Sequence, residues 1–207
     1  MRDQAGVLRD SKLPAEGRAG AAEDRAQAAS DRMQGARDRS DARSDRDALL
    51  HQLTIAETDQ LTGARTRAAG LADLGREIDR AHRTRGVSVA VAYADVVGLK
   101  VVNDLHGHAR GDALLQRVVA AIRHQLRSYD LIVRLGGDEF LCMLSGATIE
   151  SARQRFTQIS ASLALGPDPC EVRVGFAALE PEDDASRLIR RADASLLSSA
   201  GGPGVRA

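Results

Sequence analysis

The sequence predicts a mixed α/β fold, an α+β sandwich in which helices flank a central sheet, preceded by a long N-terminal helix. Three observations carry this reading. Beyond about residue 58, segments with helical apolar spacing alternate with short apolar runs of strand length. Two of those runs are joined through Gly136-Gly137, a composition suited to a hairpin. Before residue 58 a charged pair recurs every seven residues, close to two helical turns.

That repeat is Asp-Arg, at Asp24-Arg25, Asp31-Arg32, Asp38-Arg39 and Asp45-Arg46. Ala21, Ala22, Ala28, Ala29, Ala36 and Ala42 fall away from the Asp stripe. An Ala seam buries little area, so a solvated single helix and a parallel coiled coil both remain open. Leu49, Leu50, Leu53 and Ala56 form a denser apolar stripe at the end of the arm. Pro14 and Gly17 interrupt the pattern upstream, so residues 1–20 are expected to be unstructured, with the helical arm over 21–57.

The globular part, expected over 58–200 with a flexible tail at 201–207, reads element by element. Leu71, Leu74 and Ile78 space a helix over 64–82, and Gly86 breaks it before a buried strand from Val87 to about Asp95. Leu114, Leu115, Val118, Val119 and Ile122 mark an amphipathic helix over 111–126. Strands follow at 131–135 and 139–144, then a helix at 152–163, a strand at 171–177 and a helix at 185–198.

Composition narrows the function classes. The 29 basic and 29 acidic residues cancel, so no global field attracts nucleic acid or anionic lipid, and anions must be held locally. Three Phe, two Tyr and no Trp leave few platforms for stacking single-stranded bases. Neither a nucleic-acid partner nor a membrane is expected. The weakly polar stretch from Val87 to Leu99 is too short to span a bilayer, and the charged N-terminus lacks a secretory apolar segment, so the expected location is the cytoplasm. Cys142 and Cys170, in separate strand-like segments, read as reduced core thiols.

The segment Arg134-Leu135-Gly136-Gly137-Asp138-Glu139-Phe140 resembles the signature of the GGDEF family of diguanylate cyclases. It has companions in the family's order: Asp59-Gln60-Leu61-Thr62-Gly63, then Asp95-Val96-Val97-Gly98-Leu99-Lys100 with Asn103-Asp104, then Gly107-His108, Gly111-Asp112 and, near the end, Ala192-Asp193. Each piece alone has an ordinary structural reading, as turn, helix cap or solvated loop. The resemblance extends over residues 58–200 and implies a mostly antiparallel sheet of the nucleotidyl cyclase and polymerase-palm kind. It implies condensation of two GTP into cyclic di-GMP, a homodimer, and inhibition by the product.

By the same resemblance, Asp95, the Val96 carbonyl, Asp138 and Glu139 hold Mg²⁺ or Mn²⁺. Hard oxygen ligands of this kind suit a triphosphate-bound divalent ion. Asp138, Glu139 and Lys100 are the implied catalytic set, with Asp138 taking the proton from a ribose 3′-hydroxyl and Lys100 facing the triphosphate. Asn103 and Asp112 match the donors and acceptors of the guanine Watson-Crick edge, with His108 beside the nucleotide and Gly136 and Gly137 allowing close approach to backbone. Arg127 and Asp130 resemble the family's Arg-x-x-Asp product-inhibition motif, suited to phosphate and guanine.

The sequence also departs from the family pattern. Val97 stands where a second Asp is common, and Leu99 where Phe is usual. The closing helix reads Leu196-Leu197-Ser198-Ser199-Ala200 without its usual Lys, for which Arg190 and Arg191 are candidate substitutes. A degenerate, non-catalytic domain that senses GTP or cyclic di-GMP is the alternative reading.

Overall fold

A computed structural model of the chain describes residues 15–84, 86–166 and 168–199. The chain packs as two units, Met1–Gln52 and Leu53–Ala207. The first consists of the greater part of helix α1 (Ala15–Glu57). Its start lies inside the segment expected to be unstructured: Ala-rich helix propensity prevails over Gly17 and Gly20. Residues 1–14 and the tail at 201–207 lie outside the described residues. Gln27 donates to Asp31 at 2.8 Å and Gln34 to Asp38 at 3.0 Å, one turn apart along the helix. Met33, Leu49, Leu50, Leu53 and Ile55 are exposed in the single chain.

In the second unit, α2 (Arg67–Arg83) leads into β1 (Val89–Val96), then α3 (Leu99–His106), α4 (His108–Gln125), β2 (Leu131–Arg134), β3 (Glu139–Ser145), α5 (Ile149–Ala164), β4 (Val172–Ala178) and α6 (Ala185–Ser199). The four strands pair antiparallel in the order β2-β3-β1-β4. Alternation along β1 sorts the core into two layers. Ala90, Ala92, Ala94 and Val96 pack with Val118 and Ile122 of α4 and with Phe156 and Ile159 of α5. Val89, Val91 and Tyr93 pack on the other face with Leu74 and Ile78 of α2 and Leu188 of α6. α6 lies so close on β4 that a Cβ at Gly175 would fall 2.0 Å from the Ala192 carbonyl oxygen.

The short helix α3 has no counterpart in the expected elements. Val101-Val102 and Asn103-Asp104 are poor helix formers, and the signal is local: Gly98 adopts the left-handed conformation (φ 80°, ψ 9°) that turns the chain from β1 into the helix. Gly107, at φ 80° and ψ 162°, makes the sharp joint between α3 and α4 in a region open essentially to glycine alone. Cys142 is buried in β3, whereas Cys170 is only half-buried and precedes β4 instead of lying within a strand.

Candidate active site

Register brings two of the sequence-selected carboxylates together. Asp95, near the end of β1, is paired directly with Glu139, the first residue of β3. Across an antiparallel pair, opposed residues share a face. Their neighbours fix the ends: the Val96 N–H donates to the Asp138 carbonyl at 3.1 Å, joining the β1 end to the turn between β2 and β3. The backbones of Asp95, Val96, Asp138 and Glu139 therefore lie together at one end of the central β1–β3 pair, where the resemblance expected a metal. Their carboxylate and carbonyl oxygens are the hard donors that Mg²⁺ takes. Among the described residues, no group of three or more acidic, His or Cys side chains is placed to hold an ion.

The turn itself is held by Arg134, a residue of the signature to which the sequence reading gave no role. Its guanidinium donates to the Gly136 carbonyl at 3.2 Å, to the Gly137 carbonyl at 2.8 Å and to Asp59 at 3.1 Å. Asp59 in turn accepts from the Thr62 hydroxyl at 2.6 Å and the Thr62 N–H at 2.8 Å. The first motif of the sequence is thus bonded to the glycine turn. Burial alone would raise the Asp59 pKa, but the Thr62 donors and the Arg134 charge outweigh it and hold the carboxyl below its ordinary value. A Cβ on Gly136 would meet a Glu139 carboxylate oxygen at 2.8 Å, whereas one on Gly137 would meet nothing, leaving that backbone open to an approaching ligand.

Two further partners were not legible as site residues. Tyr93, two residues before Asp95 and on the same strand face, donates its hydroxyl to Glu139 at 2.8 Å. Burial, followed by this bond to a carboxylate, pushes the phenol pKa up. Arg173 of β4 lies directly across from Asp95 on its other side and forms an ion pair with it. An Arg between two valines in an otherwise apolar run was the available signal.

The remaining candidates stand on the α3–α4 pair. Lys100, His108 and Asp112 are exposed, and Asn103 is half-buried with an amide oxygen that has no hydrogen-bond partner. This oxygen sits where a Cβ on Gly111 would be, at 2.0 Å, so the glycine makes room for the amide. A cavity of about 560 Å³ lies beside α3 and α4, but it is lined by Val97, Val102, Leu114 and Cys170 and not by Asn103 or Asp112.

Arg127 and Asp130 lie apart from this group, before β2. Arg127 is exposed and its guanidinium meets Tyr129, donating to the hydroxyl at 2.5 Å. Asp130 is buried: one carboxylate oxygen accepts from Arg155 of α5 at 2.9 Å and from the Arg127 N–H at 2.9 Å, and the other has no partner. A cavity of about 490 Å³ opens there, lined in part by Arg65, Arg123, Arg127 and Asp130. At the closing helix, Arg191 is committed to Glu180, Asp183 and the Ala178 carbonyl, which removes it as a substitute for the missing Lys; Arg190 is exposed.

The globular part of the chain is similar to known proteins. Residues 56–200 match the family model described as "Diguanylate cyclase, GGDEF domain". The chain is 34% identical over 148 residues to diguanylate cyclase DgcP of Pseudomonas aeruginosa, matching 68% of this chain and 22% of that protein. The crystal structure of the coiled coil and GGDEF domain of DgcB from Caulobacter crescentus, in complex with c-di-GMP, shares the fold, with a TM-score of 0.74 at 23% identity over 80% of this chain and 91% of that one. Diguanylate cyclase SiaD of P. aeruginosa, solved with its activator SiaC, is 29% identical with a TM-score of 0.66, covering 90% of this chain and 75% of that one. The chain spans between about a fifth and three fifths of the first curated relatives it matches. No helix among the described residues is long and apolar enough to cross a membrane. With its signature seated in a glycine turn against β1 and its family match spanning the whole globular unit, the chain belongs to the GGDEF-domain family of diguanylate cyclases.

Proposed function

We propose that this chain condenses two GTP molecules into cyclic di-GMP with release of pyrophosphate, as a homodimer in the cytoplasm. The observation that carries this reading is the meeting of Asp95, Val96, Asp138 and Glu139 at one end of the β1–β3 pair. These residues would hold Mg²⁺ or Mn²⁺. Bound there, the cation would neutralise triphosphate charge and polarise the reacting phosphate.

The chain's own groups supply the rest. Lys100 offers a compact positive charge to the triphosphate. Asn103, whose amide oxygen lacks a donor, and Asp112 turn towards the guanine edge, whose N–H groups donate; His108 stands beside them. Gly137, open on its Cα, admits the nucleotide to the turn next to Gly136. The 3′-oxygen of one GTP bonds to the α-phosphorus of the other as the bond to pyrophosphate breaks, and the hydroxyl proton passes to the Asp138 carboxylate, with Glu139 adjacent. A second such transfer closes the ring. One domain holds one GTP, so two must face each other about a two-fold axis. Cyclic di-GMP then inhibits through Arg127 and Asp130, whose unpartnered oxygen and neighbouring cavity suit a ligand with guanine donors.

A second reading, a non-catalytic module that senses GTP or cyclic di-GMP, is favoured by Val97 in place of a carboxylate and by a closing helix without its usual Lys. Incubation of the purified dimer with GTP and Mg²⁺, with nucleotides resolved by chromatography and Asp138→Ala run alongside, separates the two. Cyclic di-GMP from the parent and none from the variant is the expected outcome. Bound GTP without product, after removal of co-purified cyclic di-GMP, would replace catalysis with sensing.

A further inference from the structure

Three charged residues lie in one row across the sheet. Arg173 on β4 faces Asp95 on β1, and Asp95 faces Glu139 on β3. Directly opposed residues of adjacent antiparallel strands share a face, so the row reads cation, carboxylate, carboxylate. Two carboxylates side by side repel one another. The Arg173 guanidinium relieves that repulsion by pairing with Asp95, while Glu139 takes the Tyr93 hydroxyl at 2.8 Å. Both carboxylates of the proposed cation site therefore have protein partners.

The two partners differ in kind. Tyr93 is neutral and buried, and leaves the second Glu139 oxygen to other donors. Arg173 is a full positive charge, and its side chain is 48% exposed against 19% for Asp95. A half-exposed guanidinium on an edge strand can release its partner and be solvated at small cost. We propose that Arg173 is the resident counter-ion of Asp95, a positioning residue that competes with the divalent cation for this carboxylate and so sets the cation concentration at which the site fills. This rests on the assignment of Asp95 as a metal ligand above.

In the metal-free protein Arg173 keeps the carboxylate row from repelling itself, which lets the site stand preformed. A divalent cation at Asp95 would take the place of the Arg173 guanidinium, which is exposed enough to turn to solvent. The exchange raises the cation requirement by the free energy of the ion pair, which at this exposure corresponds to about fivefold in affinity.

Titration of the nucleotide-free 207-residue chain with Mn²⁺, followed by electron paramagnetic resonance of the free ion, tests this. Arg173→Gln is expected to bind Mn²⁺ about fivefold more tightly than the parent, while Arg173→Lys, which keeps the charge, stays near parent affinity. Asp95→Asn is titrated beside them, and circular dichroism checks that each variant is folded. If Asp95→Asn removes the Mn²⁺ site but Arg173→Gln binds as the parent does, the counter-ion role is wrong and the metal assignment stands. If Asp95→Asn binds as the parent does, the metal assignment itself fails and the role of Arg173 falls with it.

Discussion

Asn103 owes its place to a missing methyl group. A Cβ on Gly111 would stand 2.0 Å from the Asn103 amide oxygen and 3.1 Å from Leu99 Cδ1. Gly111→Ala is therefore expected to expel the amide while leaving α4 intact, since Ala is the better helix former. Loss of the proposed guanine hydrogen bond should weaken GTP binding about tenfold, read by titration with a fluorescent GTP analogue. A second residue-scale dependence joins Asp130 to Arg155, whose side chains are 1% and 17% exposed. Arg155→Ala leaves a buried carboxylate without its counter-charge, and urea unfolding should register a loss of about 3 kcal/mol. The sequence named Asp130 and Asn103 as site residues but did not show what holds them in place. Gly111 had only its place in a motif, and Arg155 is one of two arginines on α5 with nothing in its spacing to distinguish it.

The β2–β3 hairpin shows at the level of elements why widely separated motifs act together. Arg134 ties the glycine turn to Asp59, whose own turn is closed by Thr62. The Asp59 carboxyl is held below its ordinary value of 3.8 by those donors, against the effect of burial. A lowered folded pKa means that the stabilisation is complete above about pH 4 and is lost as pH falls through the folded value. Asp59→Asn should accordingly flatten the dependence of unfolding free energy on pH below about 4, measured by chemical denaturation across an acid series. The strands, α2, α4, α5 and α6 were legible within a few residues because each carries an apolar period that one face of the core demands. Helix α3 was not, because Val101, Val102 and Asn103 mask it and the two glycines that define it have meaning only as backbone angles. The row from Arg173 to Glu139 was equally hidden: it needs the register of three strands, and Arg173 on β4 follows Asp95 on β1 by 78 residues.

For the molecule as a whole, the proposed reaction requires two copies, and the exposed Leu49, Leu50 and Leu53 of α1 are the apolar surface suited to bring them together. Replacing all three with Ser should lower activity per chain by about tenfold at low protein concentration and allow recovery as concentration rises, with sedimentation reporting the weakened dimer. The heptad in the sequence pointed to this arm without deciding its partner, since alanines between Asp-Arg pairs suit a lone helix and a paired one alike. The scarcity of aromatic residues, first read as evidence against stacking on nucleic acid, has an optical consequence. The protein has no Trp and two Tyr: the Tyr93 hydroxyl binds Glu139, and Tyr129 carries the Arg127 guanidinium. Its intrinsic ultraviolet emission thus arises from one fluorophore beside each candidate ligand site, the first under quenching by a carboxylate. With Tyr129→Phe, the remaining signal becomes an unlabelled reporter that brightens when Glu139 is drawn away to a ligand.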